Sequence, residues 1–250
     1  AHFAPKTPQN EPVPSGFRLG SKNPLRGRCW CELAMVHLTI TSAGVDLSPG
    51  IEVVLRHQTW ADYEEVLEHR QDKAAIKVRY DGRTQEIRLM APLQKHGNQS
   101  HTLSNLVEAL LRHAGRDWQG FDPVTLKRFG EAGMEPDKCF YIERREGILG
   151  KERIDLASDP PPDLAIEVDA TSTTGGEDYE PLRVPELWIY REDSLDIYLF
   201  DGQHYREVLQ SPTFPGIPVC QLIPAYLRRA WEAGSSVALR EFESALGDFT

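Results

Sequence analysis

Two apolar runs, each opened by a Pro-Asp step, constrain this chain more than any other feature. The first is Glu135-Pro-Asp137-Lys-Cys-Phe-Tyr-Ile142 and the second is Pro161-Pro-Asp163-Leu-Ala-Ile-Glu167-Val-Asp169. Read as strands, they alternate sides, so Asp163, Ala165, Glu167 and Asp169 share one face. At about 3.3 Å per residue, Asp163 and Glu167 lie roughly 13 Å apart, too far to share an ion, while Glu167 and Asp169 are roughly 6.6 Å apart and line one site. Antiparallel pairing through the 143–160 connection brings the start of the first strand, Asp137, to the end of the second, Glu167. Carboxylates converging in this way either have raised pKa values or hold a cation. Hard oxygen donors select magnesium, manganese or calcium over zinc. A bound magnesium ion makes its water more acidic and clamps a phosphate oxygen. The pattern therefore points to metal-assisted phosphodiester hydrolysis.

Charge narrows the partners. The 250 residues carry 28 Lys+Arg against 38 Asp+Glu, a formal charge of −10. A basic coat for gripping a polyanion is absent, so any nucleic-acid contact is local. No run approaches the roughly 18 apolar residues of a membrane span, and no signal-peptide pattern appears. The expected location is the cytoplasm. Cys29 and Cys31 form a C-x-C pair while Cys139 and Cys220 are isolated, which makes neither a disulfide framework nor a paired zinc motif; reduced thiols are expected.

Residues 1–34 differ from the rest. Their five prolines and local charge of +3 leave −13 on the remainder. We read them as a Pro-rich basic leader, either an extension upstream of a natural start at Met35 or an arm that reaches a partner. Intact mass of the natively expressed protein decides: a mass that includes 1–34 removes the first option. Residues 35–250 are expected to form a single domain with a C-terminal helical segment.

Within that domain a capping box, Thr59-Trp-Ala-Asp62, predicts a helix from Thr59. Ile76, Val78 and Tyr80, then Ile87 and Leu89, alternate about Asp81-Gly82 and predict a hairpin with a tight turn. A second helix is expected from near Gly97 to Ala114, with Leu103, Leu106, Val107, Leu110 and Leu111 as its apolar stripe. Strand-like runs follow at Val124–Leu126, Cys139–Ile142, Leu164–Val168, Leu187–Tyr190, Leu195–Phe200 and Tyr205–Leu209, the last two joined at Asp201-Gly202. Pro224 is placed at the first position of a C-terminal helix, and a short final helix holds Val237, Leu239, Phe242 and Leu246. Hairpins mixed with helices, without βαβ repetition, indicate an α/β or α+β fold with a mixed sheet.

Pro136-Asp137, followed thirty residues after the aspartate by Glu167-Val168-Asp169, resembles the PD-(D/E)XK nuclease superfamily. Several blocks resemble one family of it, the bacterial restriction-endonuclease-like (Uma) family. They are Glu86-Ile-Arg-Leu-Met-Ala-Pro92 with His96, Glu135 to Ile142, Asp159 to Ser172, and Val184-Pro-Glu-Leu-Trp-Ile-Tyr190. They occur in the family's order and span Thr59 to Leu209.

The resemblance implies a restriction endonuclease-like core, a mixed central sheet flanked by helices, with a β-hairpin N-terminal to the core. It implies a magnesium- or manganese-dependent endonuclease acting on DNA, commonly as a homodimer. Asp137 and Glu167 would be the metal carboxylates, the Val168 carbonyl a further ligand, and Glu86 and Asp169 assisting acids. The chain departs from the pattern at Asp169, where the superfamily has its catalytic lysine. Relatives that move this lysine four residues before a tyrosine would have it at Gly175 if Tyr179 is that tyrosine. Lys138, Lys151 and Arg183 are the substitutes near in sequence, although Lys138 points away from Asp137. The alternative function is a catalytically degenerate nuclease fold acting as a nucleic-acid-binding or protein-interaction module.

Each acid also has a plainer reading. Glu86 is a solvated strand acid, Asp137 a turn cap, Asp163 a cap at the strand entrance, and Asp169 a cap for Thr171 and Ser172. Glu167 is harder to explain so, because a carboxylate in an apolar strand needs partners. His96 and His101 are read as surface or core residues, and Trp188, Tyr190, Tyr198 and Phe200 as sheet packing. Tyr226, Trp231 and Phe242 either supply a dimer interface or pack within the chain.

Overall fold

The computed structural model describes residues 38–41, 44–70, 76–168 and 174–249. The expectations for the 1–34 leader and for Asp169 lie outside these residues. In chain order the elements are β1 (Leu38–Thr41), β2 (Gly44–Leu47), β3 (Glu52–Arg56), α1 (Trp60–Arg70), β4 (Lys77–Asp81), β5 (Glu86–Met90) and α2 (Gln94–His113). They continue with β6 (Gln119–Phe121), β7 (Leu126–Arg128), β8 (Ala132–Met134), β9 (Lys138–Tyr141), β10 (Leu164–Val168) and α3 (Gly176–Tyr179). The last are β11 (Glu186–Arg191), β12 (Ser194–Phe200), β13 (Tyr205–Val208), α4 (Val219–Ala233) and α5 (Ser235–Leu246).

Six strands form a mixed sheet in the order β13-β12-β11-β10-β9-β6. Only β10 and β11 run parallel in it; the other neighbours are antiparallel. A second sheet, β3-β5-β4-β8-β7, is antiparallel throughout, and β1 and β2 pair as a separate ribbon. The mixed α/β architecture expected from the sequence is the one observed. Alternation sorts the core. Leu164, Ile166 and Val168 of β10 pack with Leu103, Leu106, Val107, Leu110 and Leu111 of α2 and with α4 and α5. Ala165, from the opposite face, joins Cys139, Leu187, Ile189 and Tyr179. The hairpin β4–β5 and helix α1 close a third cluster through Tyr63, Val78, Tyr80, Ile87 and Leu89.

The capping box forms as expected: the Thr59 N–H donates to Asp62 Oδ2 at 2.6 Å, and the Asp62 N–H to Thr59 Oγ1 at 3.3 Å. Two local expectations are corrected, and a third is narrowed. The β4–β5 turn is wider than a two-residue hairpin, because Asp81 pairs with Glu86 and the positive φ falls on Gln85. Gly82 is required for a different reason: a Cβ there would stand 2.6 Å from the Gly130 carbonyl oxygen and 2.7 Å from that of Glu131. Helix α4 starts at Val219, so Pro224 sits inside it rather than at its first position. Phe242 is fully buried and Tyr226 meets it edge-on at 5.0 Å, so of the three C-terminal aromatics only Trp231 is exposed, at 59%.

The chain crosses between the two sheets from β5 to β6 through α2, from β6 to β7, and from β8 to β9, and the last crossing carries the acid. β8 ends at Met134, Glu135-Pro136-Asp137 bridges, and β9 begins at Lys138. Glu135 anchors this bridge. Its buried carboxylate takes both Arg70 guanidinium nitrogens at 2.7 Å, the Thr125 hydroxyl at 2.7 Å and the Val78 N–H at 2.9 Å. On the β4 side, Tyr80 pairs with Gly133. Continuing that antiparallel register sets Lys77 opposite Pro136, one residue before Asp137.

Candidate active site

Asp137 and Glu167 meet as the strand argument required. β9 and β10 pair antiparallel with Lys138 opposite Ile166, which puts Asp137 beside Glu167. Both carboxylates are 2% exposed. Each has one oxygen pinned and the other aimed inward. Oδ2 of Asp137 accepts the Val168 N–H at 2.8 Å and lies 3.1 Å from Nε2 of buried His96 on α2. Oε1 of Glu167 accepts the Tyr179 hydroxyl at 2.6 Å and Nη2 of Arg79 at 3.1 Å. The remaining oxygens converge on one cation, with Lys77 Nζ 3.0 Å from Asp137 Oδ1 and 2.9 Å from Glu167 Oε2. Arg79 also reaches Thr174 Oγ1 at 3.1 Å and Asp178 at 3.6 Å, tying β4 to the start of α3.

The electrostatics follow from burial against these partners. Burial alone would raise the Asp137 carboxyl, but Lys77, His96 and the Val168 N–H more than reverse this and hold it well below the usual carboxylate range. For Glu167 burial prevails. It raises the carboxyl, the Asp137 charge adds to the effect, and Lys77, Arg79 and Tyr179 oppose it. Burial also works against the Lys77 ammonium, yet the two carboxylates outweigh it and raise its pKa. Tyr179 is pushed well above the ordinary phenol value by burial and by the Glu167 charge, so it remains a donor.

Glu86 stands apart from this cluster. It shares a sheet face with Lys77 and Arg79, but it lies at the other end of the hairpin, opposite Asp81. Its carboxylate holds Arg56 at 3.1 Å and Arg88 at 3.2 Å. Val168 meets Asp137 through its N–H. Asp163 caps the strand entrance, accepting the Ile142 and Arg144 N–H groups at 2.7 and 3.1 Å.

None of the cations near in sequence fills the lysine's place. Lys138 pairs with Asp122 and Lys151 with Asp159, and Arg183 sits in a left-handed turn after Leu182. The cations at the acids are Lys77 and Arg79, which sequence reasoning missed. The available signal was the polar side of the β4 alternation, where two cations sit one face apart from Ile76, Val78 and Tyr80. His96, expected as a surface or core residue, is buried and stands against Asp137, while His101 is exposed and bonds only Asn105 among the contacts described.

Two converging carboxylate oxygens are a donor set suited to a hard divalent cation, since magnesium is commonly held by one or two carboxylates with water and substrate phosphate completing its shell. Among the described residues no group of three or more His, Cys, Asp or Glu is arranged to hold a metal. Lys77 also lines a cleft of about 810 Å³ with Arg70, Lys127, Arg153, Glu64 and Glu68. Among the described residues no helix is long and apolar enough to cross a membrane.

A comparison with curated proteins finds no match. Among solved structures the chain is similar to one described as a "putative nuclease belonging to DUF820" from Anabaena variabilis, at 17% identity and a TM-score of 0.45, covering 62% of this chain and 90% of that one. A family model, Uma2, described as "Putative restriction endonuclease", matches residues 60–232. That match takes in more than two thirds of the chain and every element that builds the carboxylate cluster, from β4 through α3, so the chain belongs to the Uma2 family.

Proposed function

We propose that this chain is a divalent-metal-dependent endonuclease that hydrolyses DNA phosphodiester bonds at the Asp137–Glu167 cluster. The observation that carries the reading is the convergence of Asp137 Oδ1 and Glu167 Oε2 on a single cation, with the second oxygen of each carboxylate pinned. A bound magnesium or manganese ion would supply Lewis-acid stabilisation of phosphate charge and a more acidic water. Asp137 and Glu167 would hold it, with the Val168 carbonyl as the further backbone donor. His96 and the Val168 N–H orient Asp137; Tyr179 and Arg79 orient Glu167. Lys77 is the cation that replaces the superfamily lysine, positioned to offset charge on the scissile phosphate. Asp169 is the assisting acid that follows Glu167 in sequence, whereas Glu86, held by Arg56 and Arg88, stands apart from the cluster.

The cleft that Lys77 lines is also edged by Arg70, Lys127 and Arg153. Its lining carries acidic and basic side chains in equal number, which fits weak, local binding rather than a broad grip on DNA. The reading extends to action in the cytoplasm and to a homodimer that cuts both strands, supported by exposed Trp231.

A second reading is favoured by the cations already at the acids, where Lys77 bridges Asp137 and Glu167 and Arg79 holds Glu167 and Asp178. In it the chain is a catalytically degenerate nuclease fold that binds nucleic acid or protein. Plasmid nicking in magnesium or manganese separates the two. Nicking that Glu167→Ala abolishes supports the enzyme; wild-type activity no greater than that of Glu167→Ala rejects it.

A further inference from the structure

Lys77 stands where a metal ion between the two carboxylates would stand. Its Nζ is the common partner of Asp137 Oδ1 and Glu167 Oε2, at 3.0 and 2.9 Å. The other oxygens of both carboxylates are committed elsewhere, to His96 and the Val168 N–H and to Arg79 and Tyr179. We infer that Lys77 is a tethered counter-ion, competing with a divalent cation for one position between Asp137 and Glu167. The inference rests on the proposed reading that these two acids hold the ion.

Three features carry it. Like charges at contact distance repel strongly in a buried site, so the ammonium and a divalent ion exclude each other there. Lys77 and Arg79 face Asp137, Glu167 and, at the partly exposed edge, Asp178, so adding a divalent ion without displacing Lys77 leaves a positive excess in the buried site. Lys77 also has somewhere to go: its side chain is 11% exposed and lines the 810 Å³ cleft, and its four-carbon stem is flexible. Arg79 can stay in place, because it holds Glu167 by the oxygen that Lys77 does not use. The ammonium displaced into the cleft would meet the phosphates of a bound strand. Metal and polyanion would thus favour the same Lys77 position, and each would tighten binding of the other.

The test is calorimetric titration of the full chain with manganese alone, comparing wild type with Lys77→Met. Removing the competitor should tighten manganese binding by about tenfold or more, a change of about 1.4 kcal/mol per factor of ten. Equal affinities leave the metal reading standing and overturn the inference. Manganese binding to neither protein overturns the metal reading and the inference with it. Should Lys77→Met be too unstable to titrate, Lys77→Gln keeps a hydrogen-bond donor at the site, and the rise in its unfolding midpoint on adding manganese is compared with that of wild type. A larger rise in the variant supports competition; an equal or smaller rise refutes it.

Discussion

Replacing Lys77 by methionine should destabilise the metal-free protein by about 3 kcal/mol at neutral pH. Removing one partner from a buried ion pair costs about 3–5 kcal/mol, because the other charge is left without compensation. Two carboxylates lose a partner here, but each keeps two donors: Asp137 retains His96 and Val168, and Glu167 retains Arg79 and Tyr179. That places the expected loss at the low end of the range. For a chain of this size it lowers the unfolding midpoint by about 6–12 °C. The pH dependence has a definite sign. Lys77 has a raised pKa in the fold, so its contribution is complete below the unfolded lysine value of about 10.4 and is lost as pH rises through the folded value. Asp137 is depressed, so its contribution exists above the unfolded value of about 3.9 and is lost as pH falls through the folded one. Glu167 is raised, so it favours the fold when protonated and that advantage is lost as pH rises. Without Lys77, Glu167 takes up a proton more readily, and the deficit of the variant shrinks on acidification from pH 7. Urea unfolding of both proteins across pH, followed by circular dichroism, measures the difference. A loss under about 1 kcal/mol at pH 7, the size of an exposed pair, or a deficit that grows toward acid, would refute the buried-cluster account.

Other expectations concern the frame around the site. The Tyr63 hydroxyl is buried with no hydrogen-bond partner among the described residues, and it lies against Gly133. Tyr63→Phe removes an unsatisfied polar group and should leave stability unchanged or raise it in chemical denaturation; a loss above about 1 kcal/mol would reveal a partner for the hydroxyl. Arg70→Met leaves buried Glu135, on the bridge between β8 and β9, with only the Thr125 hydroxyl and the Val78 N–H and should cost about 3 kcal/mol; a thermal midpoint equal to wild type would contradict this. Light scattering should show a dimer that Trp231→Lys dissociates; a 28 kDa species alone would reject the dimer.

The acid pair was legible because it depends on short-range geometry. Alternation along one strand put Glu167 opposite the face of Ile166, and a single antiparallel pairing between runs adjacent in sequence brought in Asp137. Helix α2 and its leucine stripe were equally readable from a period that the backbone imposes locally. Turn chemistry was less so. Asp81-Gly82 marks a bend, but whether glycine serves a positive φ or a close approach depended on the β7–β8 turn lying against it. Helix α4 was entered five residues early because tertiary packing tolerates a proline beyond the first turn.

The sequence by itself therefore determined the carboxylates and the mixed architecture that holds them. Only the tertiary structure decided what faces those carboxylates. Lys77 and Arg79 are sixty and fifty-eight residues from Asp137, and in sequence they look like the solvated side of a hairpin. They reach the acids because β4 pairs with β8 and the chain then crosses through Glu135-Pro136-Asp137 into the other sheet. His96 arrives from a third direction, on α2. Which charges meet across such distances is set by sheet register and layer packing, which no local period encodes.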